Sequence, residues 1–188
     1  MHSRAKPRRP LPPLSEASLQ ELALRYVGKY ATTRAKLTAY LKRKVRERGW
    51  DGAEPDLPAL AERMVELGYV NDASYALSRS RSLLARGYGK RRLVEQLRVA
   101  GVGEEDGAEA QAHADIEAVD AAIHFARRRR IGPFAREAAD PRQREKWIVA
   151  MIRGGHDFTL ARRLAAMSPG AEIEVYELRE TTRNHNPC

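Results

Sequence analysis

The sequence has one cysteine, Cys188, the last of its 188 residues. No disulfide within the chain and no thiolate metal site can be assembled from a single thiol, and such a chain suits a reducing cytosol. Aromatic residues are scarce at 6%, and no apolar run is long enough for a thick central sheet or for a bilayer span. The histidines, His2, His113, His124, His156 and His185, are scattered. None stands at a metal-ligand spacing from another histidine, a cysteine or a carboxylate. A Walker glycine loop, a dinucleotide fingerprint and a nucleophile elbow are all missing. Gly87-Tyr88-Gly89-Lys90 lacks the length and the preceding strand of a phosphate loop, and reads as a helix stop followed by a new start. The neighbouring acids Glu104, Glu105 and Asp106 stand where a helix start favours negative charge. With no catalytic constellation, metal site or cofactor site legible, the expectation is a binding protein and not an enzyme.

What remains is helical patterning. Hydrophobic residues make up 43% of the chain, near the globular norm, and they recur in thin stripes of Leu, Ala and Ile. Residues 1–14 are Arg- and Pro-rich, without the apolar stretch of a signal peptide, and read as a disordered basic tail. Ser15 and Ser18 are N-cap candidates, with Glu21 completing a capping box from Ser18. The first helix then carries Leu22, Ala23, Tyr26, Val27 and Tyr30 on one face, where core residues are expected. A second helix, capped by Thr32 or Thr33, carries Leu37, Tyr40, Leu41 and Val45 on its core face and stops at Gly49. After a polar insert at 50–58, a third carries Leu60, Met64 and Leu67 and stops at Gly68.

The plan recurs twice. Asn71-Asp72 caps a helix that stops at Gly87, Lys90 opens one that stops at Gly101, and an Ala-rich helix, weakened by Gly107, follows to about Ala114. A third round runs from near Ile116 to Gly132-Pro133, then from Asp140-Pro141 to Gly154-Gly155, then from Asp157 through Leu164. The middle helices share an apolar pair, Leu37/Leu41, Leu93/Leu97 and Ile148/Ile152. Leu93 lies 56 residues after Leu37, and Ile148 lies 55 after Leu93. Near-equal offsets with matching caps, glycine stops and basic entries mark an internal repeat. The predicted architecture is all-α: tandem three-helix repeats, three units and nine short helices, in an elongated, curved array. The units occupy 15–70, 71–114 and 115–167. Residues 168–188 are expected to be a disordered tail, because the strand-like alternation at 173–178 has no partner strand.

Basic residues outnumber acidic ones, 34 to 25. The net charge is +9 and the pI is near 10, which points either to a polyanionic partner or to an ordinary solvated surface. Position decides between them. Lys42, Arg43, Lys44 and Arg46 load the second helix, where Glu47 is the only acid. Arg86, Lys90, Arg91 and Arg92 repeat the bias in the second unit, and Arg127, Arg128, Arg129 and Arg130 extend it into the third. A solvated face normally mixes both signs; here they do not mix. These twelve residues are the candidate binding surface for nucleic acid or an acidic partner. Trp50 and Tyr88 are the exposed aromatic candidates, each readable also as a local hydrophobic plug.

Gly68-Tyr69-Val70-Asn71-Asp72, the downstream Gly87-Tyr88-Gly89, and Arg92-Leu93-Val94-Glu95-Gln96-Leu97 running into Ala100-Gly101-Val102 together resemble the RecX family over residues 18–167. The resemblance implies a cytoplasmic, bacterial, non-catalytic regulator made of three-helix repeats and needing no cofactor. It implies a protein that binds filaments of the RecA recombinase on single-stranded DNA, with double-stranded DNA a further candidate, and the chain is expected to be a monomer. Such a regulator inhibits strand exchange, ATP hydrolysis and the coprotease activity of the SOS response. The alternative is a general nucleic-acid-binding helical protein that acts without RecA.

Overall fold

The computed structural model describes residues 12–183, and every named element in it is helical. The chain divides into two compact units, one ending at Asn71 and the other beginning at Asp72.

In the first unit, α1 (Glu16–Val27), α2 (Arg34–Arg48) and α3 (Leu57–Glu66) surround a core of Leu19, Ala23, Leu37, Leu41, Ala61 and Met64. The caps are built from side chains. The backbone N–H of Ser15 donates to Ser18 Oγ at 2.9 Å, and Thr33 Oγ1 accepts from Lys36 N at 3.2 Å. Asp56 Oδ1 accepts from Ala59 N at 2.9 Å. The capping box at α1 therefore joins Ser15 to Ser18, one turn earlier than the predicted Ser18–Glu21 pair.

The expectation of a disordered tail over 1–14 fails at its last residue, while residues 1–11 lie outside those described. Leu14 is fully buried, its N–H donates to Gly49 O, and its carbonyl accepts from Asp51 N, both at 3.0 Å. Leu14 precedes the N-cap, and Leu19 sits four residues after that cap. Both belong to one buried cluster, the arrangement of a hydrophobic staple.

The second unit holds two cores. Helices α4 (Asp72–Ala85), α5 (Lys90–Ala100) and α6 (Glu104–Ile116) enclose Ala76, Leu83, Leu93, Leu97, Ala110 and Ala114. Gly107 is buried in α6, with the Leu97 and Val102 side chains close to where a Cβ would stand. The residue that weakens the sequence pattern is thus a packing residue. Helices α7 (Ala118–Arg129), α8 (Pro141–Arg153) and α9 (Phe158–Ala166) enclose Val119, Ala122, Phe125, Met151, Leu160 and Leu164. In α8 the fully buried residue is Met151, and Ile148 is only partly buried at the core margin.

The predicted disordered tail over 168–188 is corrected as well. Val175–Arg183 forms a tenth helix, α10, whose Leu178 is 4% exposed in the same core. Ile173 and Val175 pack beside it, so the alternation at 173–178 is the entry and inner face of a helix. Residues 184–188 lie outside those described.

Candidate functional site

Between α4 and α5 the chain must turn sharply and let another segment pass very close. Gly87 takes φ +76° and caps α4 by donating to Leu84 O at 2.7 Å. Gly89 donates to Gly154 O at 2.9 Å, and Arg91 N donates to Gly155 O at 3.1 Å. A Cβ on Gly89 would lie 2.3 Å from Gly155 O, and one on Gly155 would lie 2.6 Å from Arg92 N. These contacts are backbone to backbone, so only glycine fits. His156 completes the joint. It is 2% exposed, its Nε2–H donates to Gly87 O at 3.0 Å, and its ring meets Phe125 edge-on at 5.1 Å. Burial pushes its pKa down to about 4, against the opposing pull of the Gly87 hydrogen bond. The imidazole is neutral at pH 7 and serves as a structural donor.

On this rigid joint the structure assembles arginines from distant parts of the sequence. Tyr88 is half-buried, and its ring lies 5.3 Å from the Arg86 guanidinium, 5.1 Å from that of Arg92 and 5.6 Å from that of Arg128. Arg128 and Arg129 each stand 5.7 Å from the Phe125 ring, and Arg127 stands 5.1 Å from Phe134. All these arginines are exposed, and no carboxylate among the described residues pairs with them. Cation–π contacts at exposed sites contribute only about 0.5–1 kcal/mol each, so the guanidinium edges stay free for a bidentate phosphate or carboxylate.

Placement separates the candidates further. Arg127, Arg128 and Arg129 occupy the last turn of α7, where the helix dipole favours cations. Lys90, Arg91 and Arg92 occupy the first turn of α5, where it disfavours them. Only Lys90 is compensated there, by Asp115 at 2.6 Å. Arg130 closes α7 in the left-handed conformation, at φ +56°, and is exposed. In the first unit Lys42 and Arg46 are exposed on α2, while Arg43 and Lys44 share Glu47 at 3.5 and 2.6 Å. Lys44 holds the Glu47 carboxyl below its ordinary range.

The residues of the sequence motif divide by role. Gly68 takes φ +75° at the end of α3, Tyr69 is 55% exposed, and Asp72 is buried at the start of α4. Asn71 is the exposed last residue of the first unit. Gly87 and Gly89 build the joint, and Tyr88 carries the arginines. Trp50 is a plug: it packs against the first core, and its Nε1 donates to Ala53 O.

Sequence reasoning missed two features. His156 had no partner at a recognisable spacing, because its partner is a backbone carbonyl 69 residues away. Tyr26, Tyr30 and Tyr40 were expected inside the core. Tyr26 and Tyr40 are half-buried at its edge instead, and Tyr30 is 49% exposed. Tyr30 lies past the end of α1, in the turn before α2, and the basic residues between the three tyrosines were the available signal.

Among the described residues no cluster of His, Cys, Asp and Glu could hold a metal ion, and no helix is long and apolar enough to cross a membrane. The chain matches no protein-family model. It is 32% identical over 172 residues to the regulatory protein RecX of Myxococcus xanthus, covering 87% of this chain and 91% of that one. It is 31% identical over 140 residues to the RecX of Agrobacterium fabrum, covering 72% and 75%. A crystal structure of RecX from Lactobacillus salivarius matches the fold with a TM-score of 0.56 at 16% identity, over 89% of this chain and 94% of that one. A second crystal structure, of a regulatory protein RecX, matches with a TM-score of 0.55 at 19% identity, over 79% and 72%.

Proposed function

The chain belongs to the RecX family, and on that premise we propose that it is a non-catalytic regulator that binds RecA filaments on single-stranded DNA and restrains them by occupancy. The observation that carries this reading is the set of three guanidiniums, Arg86, Arg92 and Arg128, without an acidic partner among the described residues and gathered on Tyr88 by a glycine joint. A filament of recombinase on DNA offers both phosphates and acidic side chains, and a fixed arginine cluster suits either. The three buried clusters support reading 15–167 as three three-helix repeats. In this reading the protein works as a monomer in the bacterial cytoplasm, without a cofactor.

The test is ATP hydrolysis by the host's RecA on single-stranded DNA, titrated with the full chain, with bare-DNA binding measured alongside. Inhibition at well below one molecule per recombinase supports filament occupancy. An unchanged ATPase with tight binding to bare DNA transfers the protein to the general nucleic-acid binders.

A further inference from the structure

The first unit carries a site to which the twelve candidate residues contribute only Arg43 and Lys44. The Tyr26 and Tyr40 rings stack at 4.1 Å with an interplanar angle of 15°, and Tyr30 continues the group at 5.3 Å from Tyr26. Together they line an open cleft of about 480 Å³. Around it stand four cations: Lys29, 5.3 Å from the Tyr30 ring, Arg43 and Lys44, 5.6 and 5.9 Å from Tyr40, and Arg25 in the cleft wall. No acid lines this cleft. Glu47 pairs with Arg43 and Lys44 from outside it, and Arg25 and Lys29 make no ion pair among the described residues.

We propose that this cleft is a stacking site for single-stranded nucleic acid, with a base on Tyr30 and the flanking phosphates on Lys29 and Arg25. A ring half in water gains by burial against a base, and base–aromatic stacking tolerates any sequence because every base offers a π-face. Cations alternating with rings are the arrangement that follows a strand, phosphate by phosphate. An acidic peptide would satisfy the cations but leave the face of Tyr30 unused, so nucleic acid is the better fit. The proposal rests on the nucleic-acid half of the functional reading and requires no recombinase.

The experiment uses the full chain and two fluorescein-labelled probes of equal length, an oligo-dT and its abasic counterpart, read by fluorescence anisotropy. A background carrying Arg92→Glu and Arg128→Glu silences the other basic cluster. The chain is expected to prefer oligo-dT. Tyr30→Ala should weaken that binding by roughly 5- to 100-fold, as loss of one stacked base would, and leave abasic binding within about twofold. Tyr30→Phe should bind as the parent does. Replacing Arg25 and Lys29 by Ala should make the log–log salt slope shallower by about 1.4, at about 0.7 for each phosphate contact on a single strand. Tyr30 is half-exposed, and unchanged helical circular dichroism would confirm that its variants fold. Equal affinity for the two probes, or indifference to Tyr30→Ala, overturns the proposal. So does displacement of oligo-dT by polyglutamate at equal charge concentration, which would make the cleft an acidic-peptide site. A RecA ATPase unaffected by a chain that passes these tests would sink the regulatory reading alone.

Discussion

The two basic regions of this protein are built on opposite plans. On α2 in the first unit, Arg43 and Lys44 lie on a continuous helix, share the carboxylate of Glu47, and border a cleft of tyrosines. In the second unit, Arg86, Arg92 and Arg128 come from three separate segments and share no acid among the described residues, and Tyr88 sits between glycines that admit no Cβ. The first arrangement tolerates adjustment, because long side chains on one helix can swing between partners. The second is fixed by backbone contacts and carries its charge uncompensated. High charge in one sequence therefore serves two ends: an adaptable surface in one place and a preorganised one in the other.

The difference can be broken most severely at the glycines. Gly89→Ala would force a Cβ to within 2.3 Å of Gly155 O, and since the obstruction is backbone, the joint must open. Urea denaturation should show a loss of about 3 kcal/mol or more, placed in the second unit. Gly68→Ala in the first unit meets nothing within 4 Å and suffers only from its φ of +75°, so it should cost about 1 kcal/mol. Equal losses at the two positions would mean that the close approach at Gly89 is unimportant.

A smaller effect comes from His156, which binds its proton only near pH 4 when folded but near 6.5 when unfolded. Between those values the unfolded chain takes up a proton that the native state refuses. Stability therefore falls as pH falls from about 6.5 to about 4, and no further below that. From pH 7 to pH 5 the loss should be about 2 kcal/mol, at about 1.4 kcal/mol for each unit of separation. His156→Gln should flatten this dependence while the Gly68→Ala variant retains it. A slope that survives in His156→Gln would assign the titration to another group.

How much of this was legible in the sequence depended on the range of the interaction. Helix caps and stops are local, and Thr33, Asp140, Asp157 and the glycines after α2 and α5 stand where the spacing predicts. Leu14 was misread because proline-rich composition says nothing about an apolar residue at its end being drawn under a neighbouring core. α10 was misread because its buried contact, Leu178, belongs to a core formed by α7 to α9, and a lone amphipathic segment of nine residues declares no partner. The candidate surface shows the same division. Charge was visible residue by residue, but the meeting of Arg86, Arg92 and Arg128 on one ring depends on the packing of α7 against the α4–α5 turn. No local pattern reports that.

Function gives the gentler ways to sharpen the contrast. Arg92→Glu with Arg128→Glu removes two of the guanidiniums on Tyr88 and adds two acids beside Arg86. Under the proposed function, the concentration needed to inhibit the RecA ATPase should rise about tenfold or more, with helical content unchanged. Reversal of Lys42 and Arg46, exposed on the adaptable face, should raise it less. The reverse order would place the main contact in the first unit.

Glu47 offers the finest distinction. It is exposed, and exposed ion pairs contribute little to stability, so Glu47→Gln should leave the unfolding midpoint almost unchanged. It would, however, release Arg43 and Lys44 from the one carboxylate that pairs with them among the described residues, at the border of the tyrosine cleft. Affinity for oligo-dT should then rise by about two- to threefold, and the salt dependence should steepen by less than one phosphate contact. Tyr30→Ala should remove most of that gain, because the freed cations act on a strand that the ring holds in place. If the gain persists without the ring, the cations bind phosphate anywhere along α2, and the cleft has no special claim on the strand.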